Sequence, residues 1–95
     1  MCDREIRREG GPDRGRYALD LGSGAEAELT WVARGETRIA THTGVPREHE
    51  GRGHAAALVA AMVEDAKAEG FRIVPACSYV ALWARRHPEA AAQFA

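Results

Sequence analysis

Residues 41–59 read "THTGVPREHEGRGHAAALV". The stretch leaves an apparent strand, crosses Gly51 and Gly53, and enters an alanine-rich helix. Glycine weakens a helix by up to about 1 kcal/mol relative to alanine, so a pair at a helix entrance calls for a reason. A tight turn would use glycine for its access to positive φ. A loop that brings its backbone against a phosphate would use it to remove Cβ atoms, so that N–H groups converge on an anion at the positive end of the helix dipole. Ala55, Ala56 and Ala57 keep the first turn slim for the same approach. Alone, a G-x-G at a helix start does not separate the two. No G-K-[ST] follows it, and it does not come after a first strand in a βαβ unit as G-x-G-x-x-G would. Nucleotide hydrolysis and hydride transfer are therefore disfavoured.

Working outward, Ala55, Leu58, Val59, Met62, Val63 and Ala66 fall at helical spacing, with Glu64, Asp65, Lys67 and Glu69 opposite and Gly70 as a C-terminal stop. "FRIVPA" follows as a short apolar strand, which predicts burial on both faces, and Pro75 ends it. "SYVALWARRH" sets Tyr79, Val80, Trp83 and Ala84 at helical spacing, and Pro88 starts a last helical piece, "PEAAAQFA". Upstream, "RYALDLG", "AEAELTWVA" and "TRIATHTGV" alternate as half-buried strands, joined by "SG" and "RGE" turns into an antiparallel meander. Residues 1–15 are charged and rich in Gly and Pro, and read as a flexible N-terminal arm with room for a short strand at "REIRRE". The domain is then 16–95, in the order β-β-β-α-β-α: an α+β fold with helices packed on a mostly antiparallel sheet.

The 95 residues leave room for one core. Aromatics are only 6%, so core volume must come from a few large residues: Leu19, Leu29, Trp31, Ile39, Leu58, Met62, Phe71, Ile73, Tyr79 and Trp83. A net charge of −1 argues against the basic footprint of a nucleic-acid or anionic-membrane binder. No apolar run approaches the roughly 20 residues that span a bilayer, and the N-terminus carries no apolar signal segment. The expected location is the cytoplasm. The two cysteines, Cys2 and Cys77, are far apart, with Cys2 in a frayed end, so neither a structural disulfide nor a zinc site is expected. A monomer or weak homodimer is expected.

Four separated segments carry a family resemblance: "THT-VP" from Thr41, "EGRG-A--LV" from Glu50, "IVPACSYV" from Ile73 and "RRHPE" from Arg85. In this order they resemble the small stand-alone members of the GNAT N-acetyltransferase superfamily, over roughly Arg16 to Phe94. The resemblance implies a truncated GNAT-like fold, without the helical region that usually shapes the acceptor site. It implies acetyl-CoA as cosubstrate, an amine of unknown identity as acceptor, and no metal. Val45 and the loop Gly51, Arg52, Gly53, His54, Ala55 and Ala56 would contact the cofactor, with backbone amides on the pyrophosphate. The superfamily pattern R/Q-x-x-G-x-G/A aligns with Glu50 to Ala55: Gly53 and Ala55 fit, Glu50 departs from it, and Arg52 would supply the positive charge instead.

Acetyl transfer to an amine needs a deprotonated amine, a polarised thioester and a protonated leaving thiolate. Cys77 lies between a strand end and a helix start, where a thiol becomes more acidic. The resemblance places it near the acetyl group, either as a pocket residue or as a nucleophile; the alternative is a buried structural cysteine. His42 falls where the family has a histidine, and either moves a proton or is hydrogen-bonded within the sheet. Two residues on, a glutamate common in the family is replaced by Gly44. His87 is expected to cap its helix before Pro88, Tyr79 to pack in the core, and His54 stands where an aliphatic residue is usual. A non-catalytic CoA-binding or protein-interaction module on the same fold is the alternative to an enzyme.

Overall fold

The structure is a computed structural model that describes residues 6–95. Cys2 and the first part of the expected arm lie outside the described residues. Five strands form one sheet in sequence order: β1 (Ile6–Gly10), β2 (Arg14–Gly22), β3 (Ala25–Arg34), β4 (Thr37–Gly44) and β5 (Arg72–Pro75). The first four form an antiparallel meander, and β5 joins β4 in parallel after the long helix α1 (His54–Glu69). A 3-10 turn over Arg47–His49 precedes α1; α2 (Ser78–Arg86) and a second 3-10 segment (Pro88–Gln93) follow β5. This is the expected α+β class, with one strand more at the front.

That strand takes the place of arm. Ile6 packs against the core from β1, and Arg8 reaches α1 to hydrogen-bond Asp65 at 3.0 Å and Glu69 at 2.9 Å. Only one apolar residue of β1 points inward, which is why its pattern looks like loose chain in sequence. On the other side of the sheet, Arg16 joins Glu9 at 2.8 Å and Glu28 at 3.0 Å, and Arg7 pairs with Glu26.

The β2–β3 hairpin turns through Ser23 and Gly24, both at positive φ, as a two-residue loop matched to strand twist requires. Gly70 closes α1 in the left-handed conformation, its N–H reaching the Ala66 carbonyl at 2.9 Å.

Both helices cover the same face of the sheet. Tyr17, Leu19, Leu29, Trp31, Ala40 and Ile73 meet Leu58, Val59, Met62, Val63, Val80 and Trp83 in a single core. Two expected core members fall outside it. Ile39 is half-buried because it points to the face that no helix covers, and Tyr79 is half-buried at the edge of a cleft. The same open face leaves Val74 half-buried, so β5 is not buried on both sides. The last piece is a 3-10 segment rather than an α-helix, and Phe94 beyond it bridges to Ile73.

A buried polar contact ties α1 to the sheet. The Tyr17 hydroxyl donates to the Asp65 carboxylate at 2.8 Å, from a residue only 2% exposed. Burial, and then the hydrogen bond to that carboxylate, push the Tyr17 hydroxyl above the ordinary tyrosine range. Above about pH 10 an unfolded tyrosine loses its proton, whereas Tyr17 in the fold keeps it. Stability contributed by this group is complete below that pH and falls as pH rises. Urea unfolding should therefore show wild type losing stability above about pH 10 more steeply than Tyr17→Phe. Near neutral pH the same substitution should cost on the order of 1–2 kcal/mol.

Candidate functional site

Parallel pairing of β4 with β5 runs from Thr37↔Arg72 to Ala40↔Pro75 and stops there. Proline has no N–H to continue a ladder. The chain turns instead, and the Cys77 N–H reaches the Ala40 carbonyl at 2.9 Å. Beyond this point β4 continues to Gly44 paired only with β3, and a gap opens between it and the start of α2.

A bulge decides what faces the gap. The β3–β4 register jumps from Trp31↔Ala40 to Thr30↔His42, leaving Thr41 as the extra residue. In a regular strand Ala40 and Thr43 would point to opposite faces. The bulge turns both toward the helices, and it puts His42 on the open face with Thr41. The Thr41 hydroxyl there meets that of Thr30 at 2.7 Å.

Thr43 consequently points at Cys77, with Oγ1 3.6 Å from Sγ. Cys77 is half-buried, with an extended backbone at the N-cap of α2. Burial pushes its thiol up. The Val80 backbone, the Thr43 hydroxyl and the backbone of Tyr79 and Thr43 stabilise the thiolate more strongly, and the net result lies below the ordinary cysteine value.

From Thr43 a cleft of about 350 Å³ runs past Val45 and Tyr79 to the glycine loop, where His49, Glu50, Gly51, Gly53, His54 and Ala55 line it. Gly51 and Gly53 have φ of +80° and +81°, and a Cβ on either would stand in open space. The first hydrogen bond of α1 is Ala57 N–H to Gly53 O at 3.0 Å, so the Ala55 and Ala56 amides precede the helical ladder. Such a loop has the open backbone that a diphosphate needs. Arg52 lines a neighbouring cleft of about 330 Å³ with Asp20.

A family model described as GCN5-related N-acetyl-transferase matches residues 16–93. The chain belongs to that family. No curated protein gives a significant match. Membership in this family supports acyltransferase activity.

Of the residues singled out in the sequence, Val45, Gly51, Gly53, His54 and Ala55 gather on this cleft. Cys77 joins it through Thr43. Ala56 lies one residue further along α1, on a groove shared with Trp83 and His87. His42 is exposed on the opposite face, with Nε2 3.1 Å from where a Gly44 Cβ would be. His87 does cap α2: its Nδ1–H donates to the Trp83 carbonyl at 2.8 Å and its ring stacks on Trp83 at 3.9 Å.

Three residues had no signal in the sequence. Thr43 needed the bulge, and His49 needed the fold of its 3-10 turn. Glu28 stands directly across from Gly44 on β3, with Cγ 3.9 Å from the absent Cβ. A carboxyl-bearing side chain therefore reaches this spot from the neighbouring strand. Among the described residues, no group of three or more His, Cys, Asp or Glu could hold a metal ion, and no helix is long and apolar enough to cross a membrane.

The Thr43 contact is testable without any acceptor. In a Cys2→Ser background, the iodoacetamide reaction of Cys77 should rise with pH at a lower midpoint than a free cysteine shows. Thr43→Val should move that midpoint upward and Thr43→Ser should restore it, as read by mass spectrometry of the Cys77 peptide. An unchanged midpoint in Thr43→Val would refute the contact.

Proposed function

We propose that this protein is an acetyl-CoA-dependent N-acetyltransferase acting on an amine, with residues 16–95 as the working domain, in the cytoplasm, where Cys77 stays reduced. The observation that carries the reading is one cleft lined by the open glycine loop and by Thr43, whose hydroxyl touches the Cys77 thiol behind it.

Bound acetyl-CoA would supply an activated acyl group on a thioester. Gly51, Gly53 and the Ala55 and Ala56 amides would hold its diphosphate, and their lack of bulk is what lets the backbone approach. Val45 would guide the acyl arm along the end of β4. Unpaired backbone there, past the last β4–β5 pair, can polarise a carbonyl. In the transfer the amine nitrogen bonds to the carbonyl carbon as the carbon–sulfur bond breaks, and the departing sulfur takes up a proton. Cys77 lines the acyl end as a pocket residue, and its thiol is a proton source within that pocket. His42, on the open face, accepts the proton that the amine gives up, directly or through water. Val45 also lines a second cleft of about 330 Å³ on that face, with Glu26, Glu28 and Gly44. The acceptor would arrive there.

Glu50 favours a second reading. Glu50 is among the residues lining the cofactor cleft, and a negative charge there weakens anion binding and suits a module that holds CoA without turning it over. Slow loss of acetyl from bound acetyl-CoA separates the two, since a passive binder leaves the thioester intact.

The decisive substitution must block the loop without straining it. At Gly53, a φ of +81° makes any side chain costly. Ala55→Leu adds bulk at a helical position instead. By calorimetric titration CoA affinity should fall roughly tenfold or more, a loss of about 1.4 kcal/mol, while the melting temperature of the free protein stays the same. Wild-type CoA affinity in a folded Ala55→Leu protein would rule out the loop as the diphosphate site. Acetyl-CoA should also protect Cys77 from alkylation, and no stable acetyl-cysteine should accumulate.

A further inference from the structure

Charge around the loop is arranged in a way that the family pattern does not foresee. The residue at the start of that pattern is Glu50, which lines the cleft that runs to Thr43. Arg52, two residues on, faces the other side of the loop with Asp20. Among the residues that line the Thr43 cleft, the ones able to carry positive charge are His49 and His54. His49 comes from the 3-10 turn and His54 is the first residue of α1, so they stand on either side of the glycine loop. Their ring centroids are 6.2 Å apart, and both rings also line the cleft of Arg52 and Asp20.

A diphosphate in this loop would sit beside one carboxylate and two imidazoles. Neutral imidazoles leave the Glu50 charge unopposed on that side. Charged ones outnumber it and add to the dipole of α1. A histidine changes charge between about pH 5 and pH 8, within reach of small environmental changes.

From this we infer that His49 and His54 are phosphate-binding residues whose protonation sets the affinity of the loop for a diphosphate. The inference rests on the cofactor assignment above and extends it to a dependence on pH. The sign is fixed by linkage: a bound dianion favours charged imidazoles, so binding takes up protons and tightens as pH falls. The charged and titratable groups that share the two clefts with the pair are Glu50 and Tyr79 on one side and Asp20 and Arg52 on the other.

Dephospho-CoA is the probe that isolates this effect. Its diphosphate is a diester, so the ligand's own charge is constant through the histidine range. By calorimetric titration of the wild-type protein, dephospho-CoA should bind at least about fivefold more tightly near pH 6 than near pH 8. The double variant His49→Gln, His54→Gln should lose that ratio, and each single variant should lose part of it. Binding of equal strength at both pH values would overturn the inference and leave the cofactor assignment standing. A ratio that persists in the double variant would overturn it as well, by placing the proton elsewhere. No binding at either pH would overturn the cofactor assignment itself, and the inference with it.

Discussion

Everything at the candidate site follows from the place where β4 and β5 stop pairing. A parallel ladder needs a donor at each step, and Pro75 cannot supply one at the end of β5. The Cys77 amide takes the Ala40 carbonyl, which fixes the start of α2 against β4. The strand then runs on without a partner on that side.

The bulge at Thr41 works on the same few residues. One extra residue in β4 reverses the alternation, so Ala40 closes the core and Thr43 still faces the helices. His42 goes to the uncovered face as a result. The two residues singled out for chemistry, Cys77 and His42, thus lie on opposite sides of the sheet, with Val45 bordering a cleft on each side. A cofactor on the helix side and an acceptor on the open side would meet at the end of β4. Such a division suits a chain this short, because neither ligand needs an extra layer of structure to bury it.

Stability is arranged at the far end of the molecule. The Tyr17–Asp65 contact and the Arg8 pairs to Asp65 and Glu69 fasten the C-terminal half of α1 to the sheet, and Arg38, 4.2 Å from the Trp31 and Phe71 rings, holds the chain just beyond it. Its N-terminal turn carries none of these ties and ends in glycine. The polar ties thus gather on the C-terminal half of α1, while Leu58 and Val59 pack its N-terminal half into the core.

The sequence by itself determined the elements and the class of fold. Period-2 alternation in "RYALDLG" and "AEAELTWVA", the helical spacing from Ala55 to Ala66, and stops at Gly70 and Pro75 are local properties, and local physics reads them. The positive-φ turn at Gly51 and Gly53 was legible for the same reason, since glycine owes that conformation to its own backbone. The cap made by His87 was legible as well, because its partner is one helical turn away. Tertiary structure decided the rest. β1 was legible only as room for a short strand at "REIRRE" within an arm, because what holds Arg8 to the fold, Asp65 and Glu69, lies far along the chain. Thr43 reached Cys77 only through a bulge that depends on pairing with β3. Glu28 came to the side of Gly44 by cross-strand register. His49 and Arg52 were sorted to particular clefts by the path of a turn. Such placements depend on which strand lies beside which, and no window along the chain contains that information.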